Sequence, residues 1–233
     1  YRRAKAYLDK ESPLYDPQEA VRWLELSAGQ GYAYAQYRLG RLYLTGDGIE
    51  RDVGYGLRRL WQAEQQDNPF AQYLLGKAYL NGELIGQDIP QAERLFEKAA
   101  DQGHSYAKYS LAKMHLAGLA AESDEHKAVR LLREAADGGN PWAQYLLGKF
   151  CFRGEHTTQD IYEAERLLTS SAVQKNSQAQ YMLAKLYLCG EGIPKDTQKV
   201  LHWLRESDKQ ENPCAQYQLG KMLLFGQEVR QDI

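Results

Sequence analysis

Two residues that could form a nucleophile and its base, Cys151 and His115, stand 36 positions apart in this chain. Such a pair works only when the two groups lie within roughly 2.6–3.2 Å of each other. Both residues occupy the place that Tyr43 holds in a repeated segment, so they fall on equivalent positions of neighbouring helices. Neighbouring helices pack roughly 8–10 Å apart, which is too far for proton transfer. We therefore expect both side chains to substitute for core residues, and we predict no catalytic residue.

The other histidines and cysteines also lack the spacing of a reactive or metal-binding site. No histidine follows a ligand pattern of the H-E-x-x-H kind, the remaining ones being His104, His126, His156 and His202. The cysteines show neither metal nor redox spacing, and they are Cys151, Cys189 and Cys214. The glycine turn at 46–48 closes a helix and follows no strand, so it is not a phosphate-binding loop. The sequence predicts no metal, no cofactor and no enzymatic activity.

Tyrosines paired with cations are the residues that could bind a partner. Tyr37 and Arg41 are four positions apart, so they stand one above the other on a helix. The same pairing returns five times, as Tyr73/Lys77, Tyr109/Lys113, Tyr145/Lys149, Tyr181/Lys185 and Tyr217/Lys221. Phenol rings offer rigid amphipathic area and cations favour acidic partners. The row predicts a binding site for a protein segment carrying carboxylates; the alternative is a stacking role, with each lysine stem lying across its ring.

A repeated segment positions these pairs. Ala-Gln-Tyr or a close variant begins at residues 35, 71, 107, 143, 179 and 215, each 36 after the last, and the chain opens inside an earlier copy. A fixed period of this length indicates stacked supersecondary units. In each copy Ala35, Leu39 and Tyr43, or their equivalents, form one face of a helix. We predict an all-α solenoid spanning 1–233 as one body of about six repeats.

Each period divides into two helices, here named A and B. Asparagine caps, often followed by proline, begin the A helices, and glycines end them at 46, 82, 118, 154, 190 and 226. Predicted A helices cover 33–46, 69–82, 105–118, 141–154, 177–190 and 213–226. A recurring aspartate, from Asp16 to Asp232, caps the B helices. Predicted B helices cover 16–29, 52–65, 88–102, 124–137, 160–174 and 196–209.

Composition excludes several classes of protein. The 29 basic and 31 acidic residues are intermixed, so the basic field of a nucleic-acid-binding protein is missing, and we expect no direct nucleic-acid partner. No apolar run is long enough to span a bilayer, so we expect no membrane partner. An odd number of cysteines disfavours a disulfide framework and favours a reducing compartment, which suggests the cytoplasm.

The repeated wording A-x-Y-x-L-G-K-x-Y-L-x-G, then G-x-G-I-x-x-D, then A-A-x-x-G, closely resembles the Sel1-like repeat, a relative of the tetratricopeptide repeat. The resemblance implies a right-handed superhelix of helix pairs, with the tyrosine face of the A helices lining a concave groove. It also implies a non-catalytic scaffold or adaptor that binds a partner protein. In one Sel1-like subfamily a pair of cysteines links the two helices of every repeat, a pattern that this chain does not follow.

A second function stays open. The A-Q-Y-x-L-G-K wording also resembles repeat tails of bacterial plasmid-mobilisation relaxases, which implies an accessory arm of a nucleic-acid-processing enzyme whose catalytic residues lie elsewhere. Both ends of the chain fall inside a repeat, so we expect a fragment of a longer protein. The apolar Leu219, Leu223 and Leu224 at the last A helix then predict end-to-end self-association.

Further predictions follow from positions at which the residue differs between copies of the repeat. Partner choice is expected to depend on slots that vary, among them those of Arg38, Thr45 and Tyr34. Gly54 and Gly56 replace better helix formers, and they mark either the weakest repeat or a close approach of two helices. Trp23 and Trp203 share a slot that leucine holds elsewhere and are expected in the core, whereas Trp61 is expected to be more exposed.

Overall fold

The computed structural model describes residues 1–225, and every regular element in that range is an α-helix. The helices are α1 (Arg2–Tyr7), α2 (Pro17–Gly29), α3 (Ala33–Thr45), α4 (Val53–Glu64), α5 (Pro69–Asn81), α6 (Ile89–Asp101), α7 (Ser105–Leu116), α8 (Glu125–Asp137), α9 (Pro141–Arg153), α10 (Ile161–Val173), α11 (Ser177–Cys189), α12 (Thr197–Asp208) and α13 (Pro213–Phe225). Odd-numbered helices are A helices and even-numbered ones are B helices. The prediction of an all-α fold built from repeated helix pairs is confirmed.

The chain forms two compact units, Tyr1–Glu122 and Ser123–Ile233. The first contains α1 to α7 and the second α8 to α13, and within each unit every helix packs against the next one in sequence. In the second unit α9 also contacts α11, so equivalent A helices lie side by side. No helix in the described range is both long and apolar enough to cross a membrane.

Predicted caps set the beginnings of the helices. The side chains of the six aspartates before α2, α4, α6, α8, α10 and α12 accept hydrogen bonds from first-turn N–H groups. Asn68, Asn140 and Asn176 do the same for α5, α9 and α11. These bonds satisfy donors that a helix N-terminus otherwise leaves unpaired. Asp232, the last aspartate of the series, lies outside the described residues.

Glycines end most A helices as predicted. Gly46, Gly82, Gly154 and Gly190 adopt the left-handed conformation and donate their N–H groups to the last helical turn. At α7 the C-cap is instead Ala117, and Gly118 follows with φ of +69°. There Leu119 N–H donates to the Met114 carbonyl at 2.9 Å, a Schellman-type ending that the repeat pattern did not predict. Gly226 lies outside the described residues.

Alanine and leucine of the predicted stripes form the core. Ala35 and Leu39 on α3 are fully buried, as are Leu24 on α2 and Phe96 on α6. The three tryptophans of the B helices do not differ in burial class as predicted, because Trp23, Trp61 and Trp203 are all half-buried. The Arg3 guanidinium lies over the Trp23 ring, 4.8 Å from its centroid, and forms a cation–π pair with it.

Gly56 is a point of close approach between α3 and α4. A Cβ placed on Gly56 would lie 2.9 Å from the Gly40 carbonyl oxygen, and one placed on Gly40 would lie 2.8 Å from the Gly56 oxygen. The close-approach interpretation of this glycine is thereby confirmed. Gly54 shows no such crowding, since the atoms nearest to a Cβ placed on it lie 3.6 Å away or more.

A glutamine pair links the A helix of a repeat to the turn after its B helix. The side-chain amide of Gln66 donates to Gln36 at 2.8 Å, and the partners are 30 residues apart. The same bond recurs at 2.9 Å as Gln102 to Gln72, Gln174 to Gln144 and Gln210 to Gln180. In the remaining repeat Lys108 and Gly138 occupy the two positions. Since Gln36, Gln72, Gln144 and Gln180 are buried, the bond satisfies amides that would otherwise be costly inside the protein.

Candidate functional site

Three of the predicted binding residues line one cleft in the first unit. Tyr37, Arg41 and Tyr73 surround a volume of about 440 Å³. The other lining residues come from α5, α7 and the turn before α7, and they are Phe70, Leu74, His104 and Tyr106. We call this the aromatic cleft. Consecutive A helices supply it because the 36-residue period returns aromatic residues to the same face.

The wall of the aromatic cleft is a continuous chain of ring contacts. Phe70 lies 5.3 Å from Tyr37 and 4.9 Å from His104, measured between ring centroids. Tyr73 lies 4.9 Å from His104 and 6.0 Å from Tyr106. Separations of this size are those at which tilted and edge-to-face rings attract each other. The wall is therefore held in place by its own contacts and presents a preformed apolar surface.

His104 in this wall is uncharged near neutral pH. Its Nδ1 accepts a hydrogen bond from the Ala107 N–H at 3.2 Å and caps α7, which places the ring proton on Nε2. Burial lowers its pKa below the ordinary value, because the charged ring would lose hydration. Arg41 is then the charged residue of the cleft.

Sequence reasoning did not assign His104 to the site. The signal for its capping role was its position, since asparagine occupies the same place before α5, α9 and α11. Phe70 and Tyr106 were visible as a mostly aromatic variable slot shared with Tyr34. Their contact with His104 depends on how α5 and α7 pack, which the period alone does not give.

In two tyrosine–cation pairs of the first unit, on α5 and α7, the lysine lies over the ring of its own tyrosine. Lys77 Nζ lies 6.0 Å from the Tyr73 ring centroid, and Lys113 Nζ lies 5.8 Å from that of Tyr109. The lysine heads are exposed, whereas both rings are half-buried. Burial raises the pKa of the Tyr73 hydroxyl, so the phenol stays protonated. This geometry agrees both with a packing role and with a binding role for the pairs.

Access to the six predicted tyrosines varies strongly along the chain. Tyr37 is 9% exposed and Tyr217 is 73% exposed, and the four between them are half-buried. The paired cations are exposed except for Lys149, which is half-buried. A partner could therefore touch the cations of Arg41, Lys77, Lys113, Lys185 and Lys221 directly, while it would meet only the edges of most rings.

The second unit has a smaller cleft at one predicted pair. Tyr181 and Lys185 line a volume of about 220 Å³ together with the exposed Cys189 and residues of α12 and α13. Burial raises the pKa values of Tyr181 and of Tyr145 on α9. In this unit the structure brings Tyr181 and Lys185 together.

A second cleft in the first unit carries more charge. Lys10, Arg38 and Arg41 line a volume of about 400 Å³ together with Asp47, Thr45 and the apolar Leu8 and Leu42. Lys10 Nζ and Asp47 form an ion pair at 3.0 Å. We call this the basic cleft. Arg41 lines both the basic and the aromatic cleft.

The residues considered first for chemistry are core residues. His115 and Cys151 are 4% and 3% exposed. Burial raises the pKa of the Cys151 thiol, which keeps it protonated and poorly nucleophilic. All three cysteines are free thiols, and no group of metal-ligating side chains occurs among residues 1–225.

The family model of the Sel1 repeat matches residues 1–32, 33–58, 69–104, 105–140, 143–175, 177–207 and 215–233. The chain belongs to the Sel1 repeat family. The resemblance predicted from the sequence is confirmed, and the family model matches seven repeats. Proteins of this family are generally non-catalytic repeat proteins that act as protein-interaction scaffolds. No curated protein matches the chain.

Solved structures resemble the chain throughout its length. A protective antigen of uropathogenic Escherichia coli, c5321, with an SLR fold, is 30% identical with a TM-score of 0.78 and aligns with 100% of this chain but 50% of its own. This chain therefore spans half the length of that antigen. A Sel1 repeat protein from Oxalobacter formigenes is 26% identical with a TM-score of 0.84 over 92% of this chain and 88% of its own. The Pseudomonas aeruginosa immunity protein Pa5087, 21% identical with a TM-score of 0.60 over 90% and 80%, shares the fold.

Proposed function

We propose that this Sel1 repeat protein is a non-catalytic scaffold that binds a segment of a partner protein along the tyrosine–cation face of its A helices. The aromatic cleft carries the proposal. It joins Tyr37, Arg41 and Tyr73 to neutral rings in one preformed surface. Aromatic side chains and arginine are the residue types on which protein interfaces depend most.

The remaining pairs extend the proposed face beyond the cleft. Lys77 and Lys113 stand over their tyrosines with exposed ammonium groups, so they can meet carboxylates of the same partner. Tyr145 with Lys149, Tyr181 with Lys185 and Tyr217 with Lys221 recur at the same four-residue spacing in the second unit. Exposed cations of this kind steer acidic partners and set the salt dependence of binding more than they add affinity.

Photo-crosslinking from two matched positions tests this proposal. A benzoylphenylalanine at Tyr106, 41% exposed in the aromatic cleft, is compared with one at Leu26, 62% exposed on α2. In cells that make the protein, we expect a discrete crosslinked protein from Tyr106 only, and its yield to fall when unlabelled protein is added in excess. Equal crosslinking from Leu26, or none from Tyr106, would contradict the proposal.

A further inference from the structure

The basic and aromatic clefts are adjacent, and Arg41 is their common residue. The basic cleft lies between α3 and the turn that follows α1, and the aromatic cleft is lined by α3, α5, α7 and the turn before α7, so both clefts share α3. A segment crossing the A helices of the first unit would enter one cleft and then the other. Each cleft would therefore bind a different part of the same ligand.

The basic cleft has cations that the protein itself does not neutralise. Arg38 is half-buried and Arg41 is exposed, and neither forms an ion pair with any residue in the range 1–225. They are three positions apart on α3, where like charges repel each other. Asp47, the carboxylate of this cleft, is already paired with Lys10. A carboxylate from outside would relieve the repulsion, and guanidinium groups bind carboxylates through paired N–H donors.

The aromatic cleft selects a different group. Its rings are held against each other by the contacts described above. His104 is neutral because burial lowers its pKa, and its Nδ1 accepts a hydrogen bond from the backbone. Such a surface favours a large flat or branched apolar side chain, which gains by leaving water. An acidic side chain would lose hydration against these rings, whereas Arg41, which also lines the cleft, can pair with it.

Helix spacing sets the distance between the two groups. Neighbouring A helices lie roughly 8–10 Å apart, and an extended chain advances about 3.3 Å per residue, so one spacing corresponds to about three residues. We propose that the first unit binds an extended acidic segment in which a Glu or Asp stands about three residues from an aromatic or large aliphatic residue. Arg38 and Arg41 bind the carboxylate, and the aromatic cleft holds the apolar side chain. This inference rests on the proposed function and adds the chemistry of the partner.

Selection from a random library tests the inference without a known partner. Twelve-residue peptides displayed on phage are selected on the immobilised chain, and the enriched ones are synthesised and measured by fluorescence anisotropy at several NaCl concentrations. We expect enrichment of an acidic residue three positions from a Trp, Phe, Tyr or Leu. The acid-to-amide change in such a peptide should weaken binding at least tenfold at low salt.

Paired changes in the protein identify the partner of the carboxylate. The double change Arg38→Gln with Arg41→Gln should weaken binding of the peptide at least tenfold. In that variant the acid-to-amide change in the peptide should have little further effect on affinity, because the two groups that contact each other have then both been removed. Arg94→Gln with Arg130→Gln removes the same charge from exposed positions on α6 and α8 and should leave affinity within about twofold. Enriched peptides without an acidic residue, additive effects, or the absence of any enriched peptide would overturn the inference. If crosslinking from Tyr106 persists unchanged in the double arginine variant, the proposed function stands and this inference fails.

Discussion

Gly40 on α3 and Gly56 on α4 approach so closely that a methyl group on either would meet the carbonyl oxygen of the other, at 2.8 and 2.9 Å. The two helices thus touch through their backbones at this point. Close packing of this kind tolerates no added atom unless a helix moves. Two residues that each weaken a helix by about 1 kcal/mol relative to alanine thereby form a tight contact between helices.

Alanine at Gly40 should destabilise the protein although alanine is the better helix former. We expect a loss of about 1–3 kcal/mol, because the new methyl group overpacks the contact with Gly56 and Leu60. Gly220 occupies the equivalent position on α13 and has no atom within 4 Å of an added Cβ. Gly220→Ala should therefore gain up to about 1 kcal/mol. Urea unfolding followed by circular dichroism measures both variants; a gain for Gly40→Ala would contradict the close approach.

His104 should make stability depend on pH. Burial lowers the pKa of His104 in the folded protein, whereas an unfolded histidine titrates near pH 6.5. As the pH falls below about 6.5 the unfolded chain gains a proton that the folded chain resists, so stability decreases until the lowered pKa is passed. Protonation would also remove the Nδ1 lone pair that caps α7.

Two substitutions at this position separate the charge from the cap. His104→Asn keeps a cap of the kind that Asn68 provides for α5 but has no group that titrates in this range. As the pH is lowered from 7.5 to 5, the unfolding free energy of this variant should therefore rise relative to that of the parent. His104→Ala loses the cap and should cost about 1 kcal/mol at pH 7.5. Thermal unfolding across this pH range measures both. A constant difference between parent and His104→Asn at all pH values would show that His104 does not titrate as its burial predicts.

Much of the fold could be predicted because its determinants are local and repeat. Aspartate caps such as Asp52, and glycine ends such as Gly46, act within one helical turn, so a single period revealed them. The Gln36–Gln66 bond crosses from an A helix to the turn after a B helix. It could have been found only by asking why two glutamines recur at a separation of 30.

The candidate site was predictable only in part, for a physical reason. The pairing of Tyr73 with Lys77 follows from helical spacing and is seen. The contact of His104 with Phe70, and the placing of Arg38 and Lys10 in one cleft, depend on how different helices pack. Repetition places residues at equivalent positions on one face of the helices. It does not predict which residues at non-equivalent positions on different helices contact each other.

The Gln36–Gln66 bond should contribute measurably to stability. Gln66→Ala removes the donor and leaves the buried Gln36 carbonyl without that partner, so we expect a loss of about 1 kcal/mol. A double-mutant cycle with Gln36→Ala should give a coupling of about 0.5–1.5 kcal/mol. Gln65→Ala, at the exposed residue before it, is the control and should change stability by less than about 0.5 kcal/mol. Zero coupling would mean that the bond is not formed in solution.

The lysines of the tyrosine–cation face should contribute to binding more than to folding. Lys77 and Lys113 are exposed above half-buried rings, and such cation–π contacts are worth about 0.5–1 kcal/mol each. Changing Lys77, Lys113 and Lys149 together to glutamate should therefore lower the unfolding free energy by only about 1–3 kcal/mol. Because the charge reverses sign, it should abolish crosslinking of an acidic partner from Tyr106.

A matched variant isolates the effect of position from that of charge. Arg94, Arg130 and Arg205 are exposed on B helices, and their triple change to glutamate alters net charge by the same amount. It should leave crosslinking from Tyr106 intact, since it reverses charge away from the A-helix face. Far-UV circular dichroism and thermal unfolding of both triple variants complete the comparison. If the lysine variant loses its helicity while the arginine variant keeps it, the tyrosine–lysine pairs serve to stack the repeats, and their assignment to the binding site is wrong.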